Sequence, residues 1–273
     1  MKRKWYASPY VVWMLLFTIV PLIFVAYYAF TGSGGAFTVA NFQRIVRKSY
    51  LSRYADSFRL AFYCTILCLI IGYPTAYFLA SKDFSSNKIL IVLVILPMWM
   101  NFLLRTYAMM TILENNGLLN SLLSKLGLGT VQLIGTEAAV LLGMVYNFLP
   151  FMVLPIYTAL KKLDAGVIEA AEDLGANPLR VITRVVVPQS IPGVISGITM
   201  VFMPAVTTFA IPRLLSNGTV YLVGDMIEEY FITLNNRPIG SSISMVMLVL
   251  MLVSMGFLRM VNPDRNQKGG SVW

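Results

Sequence analysis

The sequence predicts an all-α transmembrane protein with six membrane-spanning helices, and three observations carry that prediction. The first is composition. Of 273 residues, 58% are hydrophobic and 12% charged, against roughly 45–50% and about 25% in a soluble domain. So few charges cannot cover a water-soluble fold of this size, and disorder needs low hydrophobicity. The mean hydropathy is +0.74. The second is the length of the uncharged runs, which reach the roughly 20 residues that a helix needs to cross the hydrocarbon layer. The third is the absence of histidine. It removes Ser–His and Cys–His hydrolytic pairs, HExxH zinc sites and His-ligated haem.

The runs place the spans at about 9–30, 59–80, 88–112, 137–160, 186–212 and 238–259. The first follows Met1, Lys2, Arg3 and Lys4 and so imitates a signal peptide. It is longer than the 7–15 residues of a signal core and lacks an A-x-A exit, so a retained helix is expected. The second contains Cys64 and Cys68, four apart on one helical face, where packing is the expected role. The third is interrupted by Arg105, 16 residues past Ile89. On a straight helix that is about 24 Å, which predicts a guanidinium snorkelling near the outer interface.

Prolines recur in or beside the spans, at Pro21, Pro74, Pro97, Pro150, Pro155, Pro188, Pro192, Pro204 and Pro212. Each removes a backbone donor and kinks or breaks a helix. Four of them lie in or beside the fifth span, which is therefore the expected gate or path-lining helix. Lys and Arg place twelve charges on the N-terminal side and nine on the other, a lean toward both termini in the cytoplasm. The inner set includes Lys82, Lys88, Arg259, Arg265 and Lys268. The departure is the first outer segment, with Arg44, Arg47, Lys48, Arg53 and Arg59. The net charge of +9 is read as anchoring to anionic lipid rather than as nucleic-acid binding. The longest connection has about 33 residues, below the ~40 of a free-standing domain. The chain thus reads as one transmembrane domain over 1–273. It has no G-x-x-x-x-G-K-[ST], so any ATP-driven engine is another polypeptide.

The connection between spans four and five is the most informative. Leu163, Val167, Ala170, Ala171 and Leu174 recur at three- and four-residue steps, which is helical. Asp164 suits the N-cap, and Gly175 the left-handed position past the C-terminus. Asn177 followed by Pro178 predicts a second helix start. Glu169-Ala170-Ala171, three residues, Gly175, nine residues, then Val185-Val186-Val187-Pro188 fits the spacing E-A-A-x3-G-x9-I-x-L-P, with valines for Ile and Leu.

That spacing resembles the signature loop of bacterial ABC importer permeases. GYPTAYFLA (72–80), LPMWMNFLLRTY (96–107), NGLLN (116–120) and FLPFMVLPIY (148–157) are similar to the B-type permeases of spermidine/putrescine importers. The resemblance implies a six-helix type I importer permease fold in a bacterial cytoplasmic membrane, with 161–188 as a cytoplasmic coupling loop. It implies that Glu169, Ala170, Ala171, Asp173 and Gly175 dock an ATPase. The implied partners are two ATPase subunits, a second permease in a heterodimer and an extracytoplasmic polyamine-binding protein. No cofactor and no enzymatic role is implied for this chain. Sulfate, molybdate, ferric iron and opine permeases share the same core, and Arg213 stands where some polyamine-permease relatives carry an acid.

A polyamine path needs carboxylates, aromatic faces and amide or hydroxyl oxygens to hold ammonium groups. Candidates within spans are Tyr63, Trp99, Asn101, Tyr107, Tyr146, Asn147, Thr207 and Thr208. Asp225, Glu228, Glu229 and Tyr230 lie in the last outer segment, which could instead be a solvated loop that meets the binding protein. The uncharged runs hold no carboxylate, so a second permease could supply the missing ones. A self-contained secondary transporter would need more intramembrane ionisable groups, and a membrane enzyme has almost no candidate chemistry.

Overall fold

A computed structural model of the chain describes residues 8–32, 35–81 and 88–260, the side chains of Ser8, Lys88 and Arg259 excepted. The charge expectations on Lys2, Arg3, Lys4, Lys82, Arg265 and Lys268, and on the side chains of Lys88 and Arg259, lie outside what is described. In chain order the helices are α1 (Ser8–Met14), α2 (Val20–Ala29), α3 (Ala40–Ile45), α4 (Lys48–Ala80), α5 (Lys88–Trp99), α6 (Phe102–Leu113) and α7 (Leu118–Lys125). They continue with α8 (Glu137–Leu160), α9 (Ala165–Asp173), α10 (Pro178–Val181), α11 (Val187–Thr207), α12 (Ala210–Leu215), α13 (Val223–Glu228) and α14 (Arg237–Met260).

Five segments are long and apolar enough to cross a membrane: Pro9–Ala29, Lys48–Ala80, Glu137–Leu160, Pro178–Thr207 and Arg237–Leu258. The third expected span is instead a pair, Ile89–Trp99 and Phe102–Lys125, bent by 99°. Pro97 removes a helical donor near the end of α5. Asn101 then starts a new helix, its side chain accepting the N–H of Leu103 at 2.9 Å and of Leu104 at 3.3 Å. The fifth span also ends before its expected limit at 212. Continued through Pro212, a helix would drive that ring into the carbonyl four residues back, at Thr208. The helix stops at Thr207, Thr208 is extended with φ −63° and ψ 141°, and α12 restarts with Pro212 in its first turn.

Wide π-turns lie at Leu15–Ile19, Ile182–Val186 and Glu229–Thr233. The first two end two residues before Pro21 and Pro188. In each, the extra residue per turn moves backbone away from the proline ring, and Val187 N–H bonds to Ile182 five residues back.

The chain divides into two compact units. One combines Leu222–Val253 with the described residues up to Asp56. Within it, the buried Asn41 amide donates to the carbonyls of Ala29 and Thr31, both at 3.1 Å. Ser242 donates to Ala29 at 3.1 Å, and Tyr54 to the Ile243 carbonyl at 3.0 Å. The other takes the described residues of Ser57–Tyr221 and those from Ser254. Its centre is α8 packed along α11. Gly193 and Gly197 allow that approach. A Cβ on Gly193 would lie 2.6 Å from Ala159 Cβ and 2.7 Å from the Pro155 carbonyl. Cys64 and Cys68 are free and buried on α4.

Candidate functional site

The connection 161–188 folds as its caps dictate. Asp164 Oδ1 accepts the N–H of Gly166 at 2.9 Å and opens α9. At the other end Gly175 has φ +78°. Its N–H bonds to Glu172 at 2.9 Å and that of Ala176 to Ala171 at 3.1 Å, the paired bonds that close a helix on a left-handed residue. Asn177 Oδ1 accepts from Arg180 N–H at 2.9 Å, with Pro178 first in α10. Two short helices thus meet at a glycine turn and run through the π-turn into α11.

No residue of α9 is buried. Glu169, Ala170, Asp173 and Gly175 are exposed and Ala171 is half-buried. Val167 is exposed, and Leu174 is 89% exposed. A small-residue face flanked by bare apolar side chains and carboxylates has the chemistry of a helix that seats in a groove on another protein.

The candidate path residues fall into distinct settings. Tyr63, Tyr107 and Tyr146 are exposed on their helices, and Trp99 at the end of α5 is 83% exposed. Asn101 spends its side-chain oxygen on the cap of α6. Asn147 is fully buried, its amide donating to Gly143 at 2.9 Å, and Oδ1 lacks a hydrogen-bond partner among the described residues. Thr207 bonds back to the carbonyls of Met203 and Pro204 at 3.3 and 3.4 Å. Thr208 is buried at the helix break.

Asp225 is buried and accepts the Leu222 N–H at 2.9 Å. Glu228 and Glu229 are half-buried. Tyr230 shares a 2.6 Å hydrogen bond with Tyr50, a residue 180 positions away in sequence. Burial pushes the Tyr230 hydroxyl up to about 12, and the Tyr50 bond and the Glu229 charge add to the shift. Tyr50 was invisible from sequence, because nothing local marks a long-range partner. Together Tyr50, Tyr230 and Glu229 offer aromatic faces and a carboxylate to a cation.

Arg105 departs from the snorkelling expectation. It is 5% exposed, and its Nε and Nη1 have no hydrogen-bond partner among the described residues. The 24 Å reckoning assumed one straight axis. After the 99° break, α6 packs against α8 and α12 instead. Among the described residues no group of three or more His, Cys, Asp or Glu could hold a metal ion.

Residues 5–267 match the family described as "Binding-protein-dependent transport system inner membrane component". The chain is 36% identical over 264 residues to the spermidine/putrescine transport system permease protein PotB of Haemophilus influenzae, covering 94% of this chain and 92% of that protein. PotB of Escherichia coli is 33% identical over 247 residues, covering 88% and 90%. In structure the chain is similar to a chain of a bacterial ABC transporter involved in the import of the acidic polysaccharide alginate. The TM-score is 0.79 at 20% identity, with 98% and 97% covered. A second alginate transporter structure, in complex with an alginate pentasaccharide-bound periplasmic protein, gives a TM-score of 0.77 at 19% identity, with 99% and 98% covered.

Proposed function

Because the chain belongs to the binding-protein-dependent transport system inner membrane component family, we propose that it is the ABC importer permease subunit that passes polyamines across the membrane. The observation that carries this reading is the exposed helix Ala165–Asp173 with Glu169-Ala170-Ala171 and the Gly175 turn. Likeness to two spermidine/putrescine permeases along about nine-tenths of the chain supports the cargo.

The mechanism runs from that helix. A separate ATPase subunit holds α9 in a groove, through the alanines, Val167 and Leu174, with Glu169 facing a basic or polar group. This puts the loop, and with six spans both termini, in the cytoplasm. The segment Pro178–Thr207 is 30 residues long, about 45 Å of helix. It carries rigid-body movement from the docking turn to the break at Thr208. Movement there opens and closes the path. Outside, a binding protein delivers the cargo, and Glu228, Glu229 and Tyr230 meet its ammonium groups by charge and by cation–π contact. A second permease completes the path and supplies further carboxylates.

The test is ATP-driven uptake of labelled spermidine and putrescine by the reconstituted complex, with sulfate and ferric iron as controls. Competition by both polyamines is expected. Uptake that ignores both, or that follows a control ion, removes the polyamine assignment.

A further inference from the structure

Arg105 carries a charge that nothing among the described residues cancels. It lies in the first turn of α6 and is 5% exposed. Its Nε and Nη1 meet no acceptor there, and it makes no ion pair. A guanidinium stays protonated at any physiological pH, so burial does not remove the charge. The surrounding helices bring no counter-charge either. The helices α5, α7, α11 and α12 hold no Asp or Glu, and α8 holds only Glu137. Glu137 is nine residues before Tyr146, about 14 Å along the axis, and is engaged by Arg59 at 3.0 Å. On α6 itself the nearest carboxylate is Glu114 at the far cap, nine residues on, and it is exposed. The charges on α7 and α12, Lys125 and Arg213, are positive.

The place of this charge within the larger unit gives it a use. Tyr146 on α8 is its electrostatic neighbour, and Leu104, Tyr107 and Tyr146 are exposed. The helix α12, packed on α6, begins two residues after the break at Thr208. The guanidinium thus stands between an exposed aromatic face and the break in the fifth span. Ionisable groups inside spans mark substrate and ion paths. A buried charge is screened far less than one in water, so its field reaches any cation nearby. A path that attracts ammonium groups by carboxylates and aromatic faces also attracts Na⁺ and K⁺. A fixed arginine is the kind of barrier that shuts such a path to them.

We propose that Arg105 is the electrostatic barrier that keeps inorganic cations from leaking through the resting permease. The proposal rests on the polyamine-importer reading. Movement at Thr208 shifts α12 against α6, so the barrier is relieved only as the path opens for delivered cargo.

The experiment uses the whole complex, both permeases with the ATPase subunits, in proteoliposomes loaded with KCl. Neither ATP nor binding protein is present, and a protonophore balances charge. Efflux of K⁺ and of Cl⁻ is followed separately for wild type, Arg105→Gln, Arg105→Met and Arg105→Lys. The Gln and Met variants are expected to release K⁺ about tenfold faster than wild type or more, with Cl⁻ efflux no faster. The Lys variant, which keeps a charge, should stay near wild type. Unchanged K⁺ efflux in both neutral variants would overturn the proposal. If the second permease is then also lost on co-purification, the guanidinium belongs to a carboxylate of that subunit. Equal rises in K⁺ and Cl⁻ efflux overturn it too, because a packing defect leaks both. A Lys variant as leaky as the Gln variant does the same, since charge is then not the cause. Wild-type vesicles that take up no polyamine when given ATP and binding protein sink the importer reading, and this proposal with it. Normal uptake alongside an unchanged leak sinks the barrier alone.

Discussion

The glycines of the larger unit are not equivalent, and only some of them set how closely its helices approach. At Gly193 the constraint is space, since a methyl would meet Ala159 and the Pro155 backbone, which cannot move aside cheaply. Gly193→Ala should destabilise the protein by about 1–3 kcal/mol, the usual range for overpacking. At Gly256 no atom of the described residues lies within 4 Å of a built Cβ. Gly256→Ala should be neutral, or stabilising by up to about 1 kcal/mol. Thermal unfolding of the two variants in the same detergent checks both. Equal shifts would mean that the seam between α8 and α11 is looser than its geometry. The sequence shows both glycines in apolar runs and gives no means of separating them. What a side chain would strike belongs to the partner helix.

Helix ends were far more legible than helix interruptions. Asp164, Gly175, Asn177 and Pro178 act on bonds two to five residues away, so the chain alone announces α9 and α10. Asp164→Ala should cost α9 about 1 kcal/mol, and faster amide hydrogen exchange at 165–173 would register it. Unchanged exchange would mean that the helix is held by its neighbours and not by its cap. The third span shows the opposite case. Its apolar run reads straight past Pro97, yet the polypeptide turns at Met100 and Asn101 caps a new helix. Hydropathy measures compatibility with lipid and is blind to direction. Asn101 could have been noticed as a cap, because asparagine is a favoured N-cap residue and it follows a proline that ends a helix. Its place inside an apolar run pointed to a path residue instead.

In the proposed mechanism the molecule as a whole couples a surface helix to a distant break, and that coupling requires continuity of Pro178–Thr207. Replacing Ile198 and Thr199 with glycines should soften that segment. Uptake is expected to fall at least tenfold while the ATPase subunits still bind and hydrolyse ATP. Parallel losses of uptake and hydrolysis would argue for simple misfolding. Glu169→Arg should act from the other end, releasing the ATPase subunits and abolishing uptake, as co-purification would show. Five of the spans and the helix–glycine turn after α8 could be read in the sequence, because uncharged run length and helical spacing are local. The gathering of Leu222–Val253 with the described residues up to Asp56 could not. It depends on bonds such as Tyr50 with Tyr230, whose partners share no local pattern. The burial of Arg105 was hidden for the same reason, since the 99° bend sets its surroundings.

The π-turn at Ile182–Val186 bears on how such a chain tolerates changes in length. Removing one residue from an α-helix turns everything beyond it by about 100°. A π-turn already carries one residue in surplus. Deleting Thr183 would therefore leave α11 facing the same neighbours, at the expense of a kink at Pro188. A deletion six residues further on would rotate the glycine seam away from α8. The join between α10 and α11 is thus the place where this segment can lose a residue and keep its phase.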